Sequence, residues 1–271
     1  MRTDDAVIVK AHYDADPQKE WDRLAGGKFE FKIATHYMEK YIKPGDSVLD
    51  IGGGTGRYSI WLAQRGCDVT LLDISERSIK FALRKATEYG VGFKTILGDA
   101  RYISANAKLA KKYDHILVMG PLYHLVDEAD RAITLKGALS YLKKSGKLFA
   151  SFISIVGAMI FMARECPELI TLPAEQQFIE TLKNGQSYGG DAFTRAFYAY
   201  PDKIIPFMEQ FPLRKLHLFS QEGISTPFVN KIMSLPHEAV EKWFDISLAV
   251  CEKEEFLSFA GHLMYIGEKT K

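Results

Sequence analysis

What this 271-residue chain has little of already narrows the reading. Three cysteines, Cys67, Cys166 and Cys251, are too few and too far apart for a disulfide framework, and none sits at metal-ligand spacing, so a reducing, cytoplasmic compartment is the expectation and no metal is expected. Neither sign of charge prevails. Lys plus Arg number 35 against 34 for Asp plus Glu, and no dense basic run occurs, so the electrostatic footprint of a nucleic-acid partner is missing. No apolar run reaches the ~18–20 residues of a membrane span. The longest, Leu148 to Ala163, falls short of that and reads as a buried strand running into an apolar helix. The opening MRTDDAVIVK carries acids and no apolar core, so no secretory leader is expected.

What is present is a large apolar share, 47%, with strand and helix signals in alternation, which points to one α/β domain with insertions. Its most telling stretch is SVLDIGGGTGRYS, Ser47 to Ser59. Val48, Leu49 and Ile51 read as a buried strand, Gly52, Gly53, Gly54 and Gly56 as a turn that side chains would obstruct, and a helix follows from about Arg57. A dinucleotide fingerprint requires a small third residue, and Arg57 or Ser59 falls there instead. The pattern that fits is Asp-x-Gly-x-Gly-x-Gly from Asp50 to Gly56. An acid ahead of the glycines repels a diphosphate and suits a ligand with a cationic amine, such as S-adenosylmethionine (SAM).

Two later carboxylates agree with such a ligand. Asp68 to Leu72 reads as a second strand ending in Asp73, at the distance expected of an acid that grips ribose hydroxyls. Ser75 caps the next helix, whose apolar face is read as Ile79, Ala82, Leu83 and Ala86, with Gly90 as its stop. Phe93 to Leu97 is a third strand, followed by Gly98-Asp99-Ala100, where Asp99 can accept from an adenine amino group and the Ala100 main chain can meet the ring edge.

With these motifs the chain resembles the class I SAM-dependent methyltransferases from about Tyr13 to its C-terminus. The resemblance rests on VLDIGGGTGR (Val48 to Arg57), LLDIS (Leu71 to Ser75), GDA (Gly98 to Ala100) and YDHILVMGPLYHL (Tyr113 to Leu125), the last similar to the GPLYHL form of bacterial small-molecule enzymes. It implies a Rossmann-like α/β fold with a seven-stranded, mostly parallel sheet in the order 3-2-1-4-5-7-6, and helices on both faces. It assigns Asp50 and the glycine turn to the methionine part of the cofactor, Asp73 to the ribose, Ile74 to one adenine face, Asp99 and Ala100 to its edge, and Met119 with Gly120 to the opening beside the sulphonium. S-adenosylhomocysteine (SAH) would be the product.

The rest of the chain is read around that frame. Asp16-Pro17 starts a helix, another spans about Lys28 to Ile42, and together a cap over about 11–43 brings Tyr13, Trp21 and Arg23 forward as candidates to close the site. A helix from Asp127 or Glu128 turns Ala132, Ile133, Leu139 and Leu142 to the sheet and ends at Ser145-Gly146. From about 156 to 211 the pattern is irregular, with a Tyr188-Gly189-Gly190 loop and the aromatics Phe193, Phe197, Tyr198 and Tyr200, read as a substrate cover. Arg214 to Ser220 and His262 to Gly267 supply the last strands, with helices over Leu235 to Phe256 between them. His124 is the candidate general base and Tyr123 its neighbour, because the segment from Gly120 leaves the fourth strand where a methyl group would lie. The expected reaction is in-line transfer to an oxygen or nitrogen of a small molecule. Methylation of RNA or protein, or binding of SAM or SAH without chemistry, remain as alternatives.

Overall fold

The computed structural model describes residues 4–109 and 111–271. Three helices come first, α1 (Asp5–Ala15), α2 (Pro17–Gly26) and α3 (Lys28–Tyr41). The leading helix begins earlier than the expected cap because Asp4 starts it, accepting from the Ala6 N–H at 3.1 Å. Asp16 starts α2 in the expected way, its carboxylate accepting from the Lys19 N–H at 2.9 Å with Pro17 in the first turn.

The central unit then alternates strand and helix: β1 (Ser47–Ile51), α4 (Arg57–Gln64), β2 (Asp68–Asp73), α5 (Glu76–Glu88), β3 (Lys94–Leu97), β4 (Tyr113–Val118), α6 (Glu128–Tyr141), β5 (Leu142–Ser154) and α7 (Ile155–Glu165). The cover follows as α8 (Gln176–Lys183), a hairpin of β6 (Tyr188–Asp191) and β7 (Arg195–Ala199), and α9 (Ile204–Met208). The chain closes with β8 (Leu213–Ser220), α10 (Val229–Met233), α11 (His237–Val250), α12 (Glu254–Leu257) and β9 (His262–Lys269).

Strands β3, β2, β1, β4 and β5 pair in parallel in that order. Strand β9 lies antiparallel on β5 and β8 antiparallel on β9, which is the expected order with β8 as the sixth strand and β9 as the seventh. Side chains alternate between two helical layers as the pleat requires. Leu49, Ile51, Ile116, Val118, Leu148 and Phe152 pack in one cluster with Leu135 and Ala138 of α6. Val48, Leu117 and Phe149 pack in the other with Ile33 and Met38 of α3. The loops that matter for a ligand leave the carboxyl ends of β1, β2, β3 and β4, as in other open α/β sheets.

Four sequence expectations are corrected. The insert is not irregular: α7 and α8 precede a hairpin whose β7 joins β5 in parallel through Ile153↔Tyr198 and Ser154↔Ala199, making nine strands among the described residues. Tyr188-Gly189-Gly190 is therefore strand, not loop, and Gly189 allows close approach, since a Cβ there would lie 2.9 Å from a Val126 methyl. Helix α6 ends at Tyr141 rather than at Ser145-Gly146, because β5 already pairs at Leu142 and the Ser145 region bulges out of the ladder. Ile133 and Leu83 face outward, 48% and 39% exposed. One position round the helix, Thr134 and Ala82 point inward, and on α6 the cation Arg131 lies on the buried side with Leu135 and Ala138.

Candidate functional site

The glycine turn after β1 is built from backbone that side chains would not tolerate. Gly52, Gly54 and Gly56 have φ of 72°, 53° and 86°. A Cβ on Gly52 would stand 2.5 Å from Pro121 Cδ, so the turn packs directly on the segment that leaves β4. On Gly54 a Cβ would meet nothing within 4 Å: this residue faces open space. Its N–H donates to Asp73 Oδ2 at 2.8 Å, which ties the end of β2 to the turn.

That open space is a cavity lined by Gly52, Gly54, Asp73, Ile74, Asp99, Ala100, Met119, Gly120, Tyr123, His124, Tyr13 and Arg23, so twelve sequence candidates from six segments meet. Asp50 and Gly53 do not line it. Asp50 is 1% exposed beneath the turn, where its Oδ2 accepts from Ser59 Oγ at 2.7 Å. Gly56 instead lets the turn sit on α5, a Cβ there falling 2.9 Å from that of Ala82. Trp21 packs against Phe81 and Tyr89, away from the cavity. Tyr198 belongs to a separate small cluster with Phe178 and Tyr188. Phe193, at the hairpin tip, holds its ring 5.7 Å from that of His124.

Burial sets the electrostatics. Desolvation lifts both Asp50 and Asp73 to about 6, against the Ser59 hydrogen bond on the former and the Ser75 and Gly54 N–H groups on the latter. Desolvation also lowers His124 to about 4, opposed by its bond to the Arg195 backbone. That bond fixes the tautomer. A carbonyl oxygen can only accept, so His124 Nδ1 donates to Arg195 O at 3.0 Å, and Nε2 keeps its lone pair. The Tyr13 hydroxyl, 2.7 Å from Nε2, must then donate to it. The Tyr13 hydroxyl is thus the polar tip of a chain that ends at a strand carbonyl.

Arg101 and Glu222 outside the cavity lining, and Glu20 and Glu30 within it, were not anticipated. Arg101 was hidden by its position just past Gly98-Asp99-Ala100, and it grips the candidate Asp99 at 2.7 Å while reaching Asp4 of the α1 cap at 3.0 Å. Arg23 pairs with Glu20 through two bonds of 2.7 Å, an i,i+3 spacing readable in the sequence. Glu30 lines the same cavity with no ion-pair or hydrogen-bond partner among the described residues, and beside it the buried Tyr58 hydroxyl is also unpartnered. Behind them Glu222 holds His262 twice, at Nδ1 (2.6 Å) and at the backbone N–H (3.1 Å). Burial disfavours the imidazolium, but the Glu222 carboxylate outweighs it and lifts His262 to about 9, with Glu30 adding to the effect. No motif marks this pair, because its partners meet only through the β5–β9 and β8–β9 pairing.

Among the described residues no group of three or more His, Cys, Asp or Glu is arranged to hold a metal, and no helix is long and apolar enough to cross a membrane. Residues 48–146 match a family model described as a methyltransferase domain. A glycine/sarcosine N-methyltransferase of Aphanothece halophytica is 25% identical over 73% of this chain and 72% of that enzyme. A ubiquinone biosynthesis O-methyltransferase of Stutzerimonas stutzeri (strain A1501) is 30% identical over 56% of this chain, which spans 64% of that enzyme's length, a little under two thirds. Among solved structures, magnesium protoporphyrin IX methyltransferase from Synechocystis PCC 6803 with bound SAH aligns over 98% of this chain and 100% of its own, with a TM-score of 0.60 at 17% identity.

Proposed function

We propose that this chain is a class I SAM-dependent methyltransferase that transfers a methyl group from SAM to an oxygen or nitrogen of a small molecule, in the cytoplasm. The observation that carries this reading is the convergence of the glycine turn, Asp73, Asp99 and Met119-Gly120 on one cavity that also holds Tyr13, Tyr123 and His124. The residues fit the donor: Gly54 leaves room where a side chain would intrude, and a buried carboxylate, Asp73, stands beside it.

In this reading Asp73 accepts from the ribose hydroxyls, Ile74 and Ala100 flank the adenine, and Asp99, steadied by Arg101, takes its amino group. Asp50 acts at one remove, holding the turn through Ser59 rather than touching the ligand. SAM, when bound, supplies an electrophilic methyl on a sulphonium, and the protein's part is alignment and exclusion of water. The α1 cap and the hairpin tip provide that exclusion through Tyr13 and Phe193.

A hydroxyl acceptor must lose a proton as it attacks. Tyr13 Oη takes that proton while passing its own to His124 Nε2, and Arg195 O steadies the imidazolium through Nδ1–H. A base held near 4 serves a hydroxyl, whose proton becomes strongly acidic as the C–O bond forms. It does not serve an ammonium, which holds its proton far more tightly than a base near 4 can take it. Incubating the protein with SAM carrying a labelled methyl group and a metabolite extract tests the function. A labelled small molecule supports it; label only in RNA or protein, or SAM binding without any transfer, overturns it.

A further inference from the structure

A second cavity, of about 410 Å³, shares no lining residue with the first. Its walls include Arg131 of α6, Phe152 of β5, Phe197 of β7, and Lys203, Ile204 and Phe207 at α9. Arg131 is 4% exposed. Its guanidinium lies 3.5 Å from the centre of the Phe197 ring, and NH1 donates to Leu125 O at 2.7 Å and Val126 O at 2.8 Å. Among the described residues Nε and NH2 have no hydrogen-bond partner and no carboxylate stands within ion-pair distance of the group. The nearest acid along the helix, Asp130, is already engaged by Arg101.

A cation held in a protein interior is costly unless an anion and a full set of hydrogen bonds accompany it. Burial brings Arg131 down to about 10 against the pull of Glu128, Asp127 and Asp130, so it stays charged at neutral pH, and these acids act from beyond ion-pair distance with none in direct contact. The space beside it is where a contacting anion would sit. Lys203, paired with Asp202 at 3.2 Å, adds a second cation at the rim, where Glu128 also stands; Ser187 and Gln210 are the other polar linings and the rest of the wall is apolar and partly aromatic.

The same residues support His124. Leu125 and Val126, whose carbonyls Arg131 holds, follow His124 directly, and Phe197 lies two residues beyond Arg195, whose carbonyl accepts from His124 Nδ1. The geometry points to this cavity as a binding site for a small carboxylate on a flat apolar body, whose occupation stiffens both supports of His124. Binding there does not depend on the methyl-transfer reading; the effect on His124 does.

Benzoate is the probe, titrated calorimetrically into the full chain with SAH present. The expected result is saturable binding that persists with SAH, weakened at least tenfold in both Arg131→Gln and Lys203→Glu while SAH affinity holds. Glutamine keeps an amide donor for the two carbonyls, and Lys203 is exposed, so the second variant reports on the site without disturbing the core. No saturable binding, displacement of benzoate by SAH, or equal affinity in Lys203→Glu would each overturn the proposal. If binding stands, turnover that does not respond to benzoate removes the link to His124 alone.

Discussion

Tyr13 on α1 and His124 past β4 are joined by a 2.7 Å hydrogen bond across 111 residues of sequence, and the tautomer of the histidine makes the tyrosine its donor. In the proposed reaction the polar group that meets an acceptor is therefore a phenol, with the imidazole behind it as proton store. For a hydroxyl acceptor, Tyr13→Phe and His124→Ala should each lower kcat about a hundredfold, and the double variant should fall no further than the worse single one. Steady-state rates at saturating SAM measure this. Multiplying losses would mean that the two act separately.

Cofactor affinity should depend on pH through Asp73. Its carboxyl is held at about 6 in the free protein, and only the ionised form can accept from two ribose hydroxyls. Lowering the pH from 7 to 5 should weaken SAH binding about tenfold by calorimetry, the factor for one group that must lose its proton on binding. Asp73→Asn should bind more weakly at pH 7 and lose the slope. A flat profile in the parent protein would count against the ribose role.

Two glycines of one turn should fail differently. Gly52→Ala combines φ of 72° with a contact of 2.5 Å to a proline ring, and should cost more than about 2 kcal/mol of stability. Gly54→Ala has free space around its Cβ and only the strain of φ 53°, about 1 kcal/mol, but its methyl projects into the cavity. Chemical denaturation and SAH titration of both variants separate the effects. The first should lose mainly stability and the second mainly affinity.

Stability should decline on the alkaline side through His262. Its folded value of about 9 lies above the ordinary 6.5, so the folded state holds the proton more tightly. The stabilisation is full below pH 6.5 and is lost as pH rises through 9. Allowing for its partial exposure the effect is about 1–2 kcal/mol, and melting temperatures from pH 6 to 9.5 should show it. His262→Gln should flatten that limb; an unchanged slope would place the titration elsewhere.

Much of this was legible in the sequence because it is local. Each glycine turn or terminal carboxylate directly follows or ends a strand, and these strands succeed one another along the chain, so sequence order brought Gly52, Gly54, Asp73 and Asp99 to the mouth of the sheet. Asp50 shows the limit of that reading: its place in the motif was right, but whether it faces the cavity or Ser59 depends on the pleat. Arg131 was illegible for another reason. A cation on the inner side of α6 contradicts helical patterning, and only the hairpin packed against it supplies the aromatic ring that makes the position tolerable. The hairpin itself was obscured by its glycines, which read as a loop until Val126 is seen to press on Gly189. Glu222 and His262 meet through antiparallel pairing of strands far apart in the chain, which no periodicity encodes.

The arginine at the start of β7 carries one further consequence. Arg195 holds His124 with its carbonyl and faces Asp5 of α1 with its guanidinium at 2.9 Å, while Tyr13 of the same helix supplies the other end of the relay. Any swing of α1 that uncovers the cavity must therefore pull Tyr13 off His124 and Asp5 off Arg195 at once. In the proposed reaction, exchange of spent donor by that route and deprotonation of the acceptor would then fall in separate phases of each turnover.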